Sequence, residues 1–141
     1  MTDKLFTGAG TNFNVNEVIK AIEQVIRTGV FEIRILDDFC SYSGYFNNSK
    51  EAAAELSNFL KNAKECNVYI TINELHPGLH SRKQRNKIIK ANGKSIPTTS
   101  DGNIIRRKNI LIDLDPERPA GISSSAEELE LAKNKCKEIY S

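Results

Sequence analysis

The chain has 141 residues, which is enough for one domain with a hydrophobic core or for one complete subdomain of a larger enzyme, so two independent domains are not expected. Its 39% apolar and 27% charged residues are typical of a folded protein, and no stretch approaches the ~20 apolar residues of a membrane span. The opening MTDKLFTGAGTNFN shows neither a basic leader nor an apolar signal core. We therefore expect a cytoplasmic protein with no membrane partner. The net charge of +2 does not by itself indicate a nucleic-acid partner.

The three cysteines, Cys40, Cys66 and Cys136, are widely separated and form no C-x-x-C pair. One of them must remain unpaired whatever the other two do. We therefore expect neither disulfides nor a zinc site, and we interpret all three as small buried or half-buried side chains.

The first two predicted elements are a helix and a strand. Residues 14–28 predict an amphipathic helix, because the apolar residues fall on one stripe and Asn14 with Glu17 has the spacing of a capping box. Residues 30–36 then alternate between apolar and polar side chains. That alternation predicts a strand with one solvated face.

A second helix and a second alternating strand follow. Residues 37–48 are rich in turn formers and contain a short SGYF element, after which Asn48 with Glu51 can cap the helix. Residues 67–73 alternate again and predict the strand.

Residues 76–100 lose this periodicity, and we predict a basic loop with one or two helical turns around residues 81–89. No acid occurs between Glu74 and Asp101. The loop suits contacts with a nucleic-acid backbone that are indifferent to sequence, and surface solubility is the equally weighted alternative. His76 and His80 are interpreted as solvated loop residues rather than catalytic ones. The basic residues are Arg82, Lys83, Arg85, Lys87, Lys90 and Lys94.

Residues 109–115 alternate and predict a third strand, and a loop over residues 116–121 leads to a last helix that ends near Ile139. One of three serines should begin that helix: Ser123, Ser124 or Ser125. Its expected buried stripe consists of Leu129, Ala132, Cys136 and Ile139.

These elements predict an α+β fold with a mixed sheet, helices mainly on one face and an open polar face on the other. The whole chain is expected to be one domain or subdomain. The side chains expected to project from the open face are Arg34, Thr71, Asn73, Asp113 and Asp115.

Asp113 and Asp115 lie two residues apart at the end of the third predicted strand, so both carboxylates should emerge on the same face. Two ionised carboxylates at about 4–6 Å repel each other by a few kcal/mol unless a cation lies between them. Mg²⁺ or Mn²⁺ suits that position, and a pair of such ions supports nucleotide polymerisation. The alternative for an isolated D-x-D is a solvated turn or the start of a helix.

The run RRKNILIDLDPERPAGISSSAEELELA resembles the first catalytic motif of the archaeo-eukaryotic primase superfamily, specifically the primase-polymerase-like proteins of phages, plasmids and integrated mobile elements. Those proteins have a basic pair, an apolar strand ending in D-x-D-P, a loop of the form R-P-x-G-I-S-S and an acidic helix start. Further upstream, FEIRIL followed by SGYF, VYITIN with a downstream proline, and TTSDGNIIRRK are similar to the same proteins. The resemblance spans roughly Gly29 to the C-terminus.

The resemblance implies an N-terminal part of a primase-polymerase catalytic domain and, for the parent enzyme, template-directed nucleotidyl transfer in DNA replication. It implies that Asp113 and Asp115 are catalytic and bind Mg²⁺ or Mn²⁺. Single-stranded DNA and nucleoside triphosphates are the implied partners, with a helicase or a missing C-terminal part as further ones. The candidate nucleotide and nucleic-acid contacts are Arg118, Arg106, Arg107, Lys108, Arg82, Lys83, Arg85 and Lys87.

Arg118 is the better placed of these contacts, because its loop leads into the Ser-rich helix start, whereas the three basic residues before the acidic strand are equally consistent with ordinary solvated positions. The sequence also departs from the family pattern. The Ser-x-His motif and the third acidic motif are not found after the first motif. We therefore expect an N-terminal fragment that is inactive as an isolated chain. The alternative is a non-catalytic module, derived from a primase, that binds nucleic acid or protein.

Overall fold

The computed structural model describes residues 2–7, 14–63, 65–92 and 97–140. The chain divides into two compact units, Met1–Asn109 and Ile110–Ser141, and each is described by itself.

The first unit is built on a five-stranded sheet with the spatial order β1-β4-β2-β3-β6, and a two-stranded sheet pairs β5 with β7. The strands are β1 (Thr2–Thr7), β2 (Phe31–Leu36), β3 (Ser41–Phe46), β4 (Asn67–Thr71), β5 (Glu74–Leu75), β6 (Ile89–Lys90) and β7 (Ile104–Arg106).

All of these strand pairings are antiparallel, so the α+β class is confirmed but the predicted mixed sheet is wrong. The reason lies in the connections. A short hairpin joins β2 to β3, and the helical crossover that follows β3 places β4 on the far side of β2. Strands β3 and β4 therefore run in the same direction but never pair, because β2 lies between them.

Two helices begin at asparagine caps, as their sequences predict. Helix α1 (Val15–Val25) follows Asn14, whose side chain accepts hydrogen bonds from two backbone N–H groups of the first turn. Helix α2 (Ser49–Leu60) follows Asn48, which does the same. Helix α1 ends three residues before the predicted boundary, and the chain then turns through Gly29, which has a φ of +97°. A β-carbon there would lie within 2.8 Å of the Glu74 side chain, so glycine fits this turn.

The main core lies between the helices and one face of the sheet. Residues directly opposite each other in the antiparallel register share a face, so Phe31 and Ile33 of β2 lie with Phe46 of β3 and Ile70 of β4. These side chains are buried and pack against the apolar stripes of α1 and α2. Burying each one stabilises the fold by about 1.5–3 kcal/mol.

The other face of the sheet is covered, which corrects the prediction of an open polar face. Arg34 and Thr71 do point to this face as predicted, but Thr71 is buried, and so are Glu32 and Ser43 beside it. A small second core of Val30, Tyr45, Leu75, Leu79 and Ile104 lies on this side. The segment after β4 therefore folds back over the polar face instead of leaving it to solvent.

The predicted basic loop contains two short elements. A 3-10 helix spans Pro77–Ser81, and β6 pairs with the edge of β3 through Lys90 and Ile89. A second 3-10 helix spans Asp101–Asn103. Lys94, which the sequence assigns to the basic group, lies outside the described residues.

The second unit contains helix α3 (Ala126–Tyr140). Of the three candidate serines, Ser125 begins it: its backbone N–H donates to the Glu128 carboxylate at 2.8 Å, and its hydroxyl accepts from the Glu128 N–H at 3.2 Å. The predicted buried stripe is wrong, because no residue of α3 is buried, and Leu129 and Ile139 are 45% and 47% exposed. No helix in the described ranges is long and apolar enough to cross a membrane.

Candidate functional site

Asp113 and Asp115 lie in a segment without regular structure, so the predicted strand over residues 109–115 is wrong. The sequence alternates as a strand does, but a strand is stable only when it pairs, and no described pairing includes this segment. Ile110 is 88% exposed and Ile112 54% exposed. Both carboxylates are also exposed. The prediction that they project from the sheet with Arg34 and Thr71 therefore fails.

The two acids have the chemistry of a partial Mg²⁺ or Mn²⁺ site. Mg²⁺ is commonly held by one or two carboxylates while water and substrate phosphates fill the remaining positions. Among the described residues, no group of three or more His, Cys, Asp or Glu side chains is arranged to hold a metal ion. Asp113 and Asp115 would therefore offer such an ion two oxygen donors and leave its other positions to groups outside this pair.

Arg118 follows the acids in the loop that leads to α3. Its Nη1 donates to the carbonyl oxygen of Ile122 at 3.2 Å, and the loop from Arg118 to Ser123 lines an open cavity of about 320 Å³. Gly121 turns this loop with a φ of +80°. The helix start is poorly suited to phosphate, because Glu127 and Glu128 place two carboxylates in its first turn. Arg118 is therefore the cation that this loop offers to a phosphate.

The basic residues ahead of the acids are held by the first unit to different extents. Arg106 ends β7, and both it and Arg107 are exposed. The Lys108 ammonium pairs with Glu74 at 3.2 Å. The Asn73 side-chain oxygen accepts from the backbone N–H groups of Lys108 and Asn109, at 2.8 and 2.9 Å. Asn73, predicted as a side chain of the polar face, therefore fixes the chain just before the acidic segment.

The basic loop uses several of its cations within the fold. Arg85 donates to the Ser81 hydroxyl at 3.1 Å, and Lys87 pairs with Glu55 at 2.8 Å. Arg82 is exposed. Lys83, also a predicted phosphate contact, has a buried ammonium that is turned inward.

The two histidines also have roles within the fold. The ring Nδ1 of His76 accepts from the Gly78 N–H at 3.1 Å and caps the first 3-10 helix. The His80 ring contacts the Asn86 side-chain oxygen at 2.7 Å.

The sequence gives no sign of the buried ionic network beneath the basic loop. Glu32 is fully buried, accepts from the Ser43 hydroxyl, and accepts from the Arg34 guanidinium at 2.8 Å. The same guanidinium donates to the Thr99 carbonyl at 3.0 Å, and the Thr99 hydroxyl contacts the Tyr45 hydroxyl at 3.3 Å. Glu32 sits at a polar position of an alternating strand, which is the pattern of a solvated side chain. Only the chain that returns over the sheet buries it.

Two cationic atoms in this network have no hydrogen-bond partner among the described residues. One is Nε of Arg34, and the other is the ammonium of Lys83, which lies 5.2 Å from the centre of the Tyr45 ring. Burial lowers the pKa of the Lys83 ammonium below its usual value, although the nearby Glu32 opposes this. Loss of water around the Tyr45 hydroxyl raises the pKa of that group.

We expect Lys83→Met to raise the free energy of unfolding by about 1–2 kcal/mol, because it removes a buried ammonium that has no hydrogen bond to the described residues and keeps the apolar stem. Lys20→Met, on the exposed face of α1, is the control and should change it by less than about 0.5 kcal/mol. Urea unfolding at neutral pH measures both.

The increase in the free energy of unfolding that Lys83→Met produces should become smaller at alkaline pH. Since the folded-state pKa of Lys83 is lowered, the unfolded chain binds more protons between that pKa and 10.5, and the wild-type protein becomes more stable as pH rises through this window. A Lys83→Met protein that is less stable than wild type would show that the ammonium stabilises the network.

No protein-family model, no curated protein and no solved structure matches the chain.

Proposed function

We propose that this chain supplies the first metal-binding motif of a primase-polymerase, an enzyme of template-directed nucleotidyl transfer that uses Mg²⁺ or Mn²⁺. In this proposal Asp113 and Asp115 bind the metal, and Arg118 contacts the nucleotide phosphates. Arg106 and Arg107 face the template backbone, since both are exposed just ahead of the acids. A metal ion held by Asp113 and Asp115 would supply neutralisation of phosphate charge and activation of the attacking oxygen.

The observation that carries the proposal is the acidic segment itself. It has the ordered blocks of the resembled motif, two exposed carboxylates two residues apart, and alternating isoleucines that are exposed. Because Ile110 and Ile112 are exposed, they lack the stabilisation that burial in a sheet would give. That stabilisation is about 25 cal/mol per Å² of apolar surface. Such a segment is suited to pair with a strand other than β1 to β7. A sheet formed in this way would bring further metal ligands beside the two acids.

The exposed apolar residues of α3 favour a second candidate, a non-catalytic module that binds a protein partner. Leu131 is 70% exposed and Tyr140 is 84% exposed, in addition to the stripe of Leu129 and Ile139. Large apolar side chains left exposed on one helix are candidates for an interaction site. This candidate makes no use of the two acids, so dependence on a metal ion separates it from the first.

Metal-dependent nucleotide binding tests the proposal. Fluorescence polarisation of a labelled deoxynucleoside triphosphate should show saturable binding to the chain in Mn²⁺, and EDTA should weaken it by at least about tenfold, because the proposed site would hold the nucleotide through an ion bound to the two acids. The same titration in Ca²⁺ reports whether charge alone is sufficient. Binding that is equal with and without a divalent ion, or no binding in Mn²⁺, would contradict the proposal and leave the module as the better description.

A further inference from the structure

A cavity of about 590 Å³ opens in the first unit, between the tip of the β2–β3 hairpin and the C-terminal end of α2. This volume is in the usual range for pockets that hold a small molecule or a partner's side chains. Its apolar lining includes Ile35, Tyr42, Phe59 and Cys66. The Tyr42 and Phe59 rings meet edge to face with centroids 4.9 Å apart, and both pack against the main core. The apolar lining of the cavity is thus continuous with that core.

Three carboxylates border the cavity: Asp37, Asp38 and Glu65. Asp37 accepts from the backbone N–H groups of Phe39 and Cys40, and these bonds lower its pKa, so it is ionised at neutral pH. Asp38 and Glu65 are exposed and have no hydrogen bond or ion pair within the described ranges. Among the described residues, two of the three negative charges are therefore left without a partner.

The end of α2 adds to this negative field. The cavity is lined by Asn58, Phe59 and Asn62 at the C-terminal end of the helix, where backbone carbonyls carry partial negative charge, and the last helical turn has no basic residue. Lys61 donates to the Asn58 side chain, and Lys90 interacts with Cys40, Tyr42 and Asp37. No lysine or arginine from the described part of the chain lines the cavity itself.

Phe39 stands at the tip of the hairpin on the border of the cavity and is 91% exposed. An exposed phenylalanine beside a pocket is typical of an interface anchor. A small cation inside the cavity would leave this ring in water, whereas a polypeptide can fill the cavity and cover the ring together.

We propose that this cavity binds an arginine or lysine side chain of a partner polypeptide, whose neighbouring apolar residue packs on Phe39. The aliphatic stem of the basic side chain lies on the apolar floor, its charged end faces the Tyr42 and Phe59 rings, and Asp38 and Glu65 pair with it. The site is separate from Asp113 and Asp115, and it requires neither a metal ion nor a nucleotide.

An NMR titration of the ¹⁵N-labelled chain tests this assignment with two probes, acetyl-Leu-Arg-amide and the same peptide with citrulline, which has nearly the shape of arginine but no charge. The arginine peptide should shift the backbone signals of residues 37–42 and 58–63 in a saturable way. The citrulline peptide should bind about tenfold more weakly, because it lacks the charge that the carboxylates attract.

Variants then assign the contacts. Asp38→Asn with Glu65→Gln should weaken the arginine peptide about fivefold while leaving the spectrum of the free protein otherwise unchanged, since neither carboxylate has a partner among the described residues. Glu17→Gln with Asp101→Asn changes the net charge equally on exposed residues elsewhere and should leave binding unchanged. Phe39→Ser should weaken both peptides.

Three results would overturn the proposal. The first is equal binding of the arginine and citrulline peptides. The second is an Asp38→Asn, Glu65→Gln protein that binds as wild type does. The third is binding of arginine amide alone as tightly as the peptide, because it would identify a small-cation site instead of a polypeptide site.

Discussion

Glu32→Gln is expected to lower the free energy of unfolding by about 3–5 kcal/mol, the usual cost of removing one partner of a buried ion pair. Glu32 is fully buried and is the carboxylate closest to the Arg34 guanidinium, at 2.8 Å. A neutral amide of the same size leaves Arg34 and the inward-turned Lys83 without their counter-charge. Urea or thermal unfolding measures the loss. Glu130→Gln, at a 56% exposed position of α3, is the matched control and should change stability by less than about 0.5 kcal/mol.

A double variant shows whether the loss arises from unpaired charge. When Lys83→Met is already present, Glu32→Gln leaves only one cation without its counter-charge, so its cost should fall by at least about 0.5–1 kcal/mol. If Glu32→Gln costs less than about 1 kcal/mol, or costs the same in both backgrounds, the network does not stabilise the fold in the way described.

Asp113→Asn combined with Asp115→Asn is expected to abolish metal-dependent nucleotide binding, with an affinity in Mn²⁺ that equals the affinity in EDTA. Neutral amides are much weaker ligands for Mg²⁺ and Mn²⁺ than carboxylates, and no third acidic ligand accompanies this pair among the described residues. Each single substitution should leave partial binding, because one carboxylate remains.

The fold of the first unit should be unaffected by this double substitution, because both acids are exposed in the second unit. Asp38→Asn with Asp101→Asn makes the same change in net charge elsewhere and should retain Mn²⁺-dependent binding. Loss of binding in that control would indicate a general charge effect instead of a site at Asp113 and Asp115.

The elements with local signals were predictable from the sequence. The sequence correctly predicts that Asn14 and Asn48 begin helices, and it limits the start of α3 to three serines, of which Ser125 is the cap. These starts are predictable because capping depends on residues within one turn. Strands β2 and β4 also follow from alternation, since their core faces are strictly apolar.

The predictions that were wrong concern features that depend on distant parts of the chain. Alternation over residues 109–115 predicts a strand, but pairing is decided by partners that the local sequence does not specify. Glu32 has the pattern of a solvated residue and is buried by a segment more than forty residues later. Strand β3 begins two residues before the SGYF element that the sequence indicates, because its pairing with β2 includes Ser41 and Tyr42.

The candidate site shows the same division. The two acids and Arg118 could be chosen from the ordered motif, since that depends on residue types and spacing alone. The inward turn of Lys83 and the pairing of Lys87, which stays exposed, with Glu55 depend on tertiary packing, so the sequence does not reveal them.

The position of bound Mn²⁺ is the most direct test of the proposed function, and paramagnetic broadening of backbone NMR signals measures it. Substoichiometric Mn²⁺ should selectively broaden the signals of residues 111–115 and 117–118, and the Asp113→Asn, Asp115→Asn protein should lose this effect while the rest of its spectrum is retained. Broadening centred on other carboxylates, or broadening around residues 111–118 that survives the double substitution, would contradict the assignment of these two acids as the metal ligands of a primase-polymerase motif.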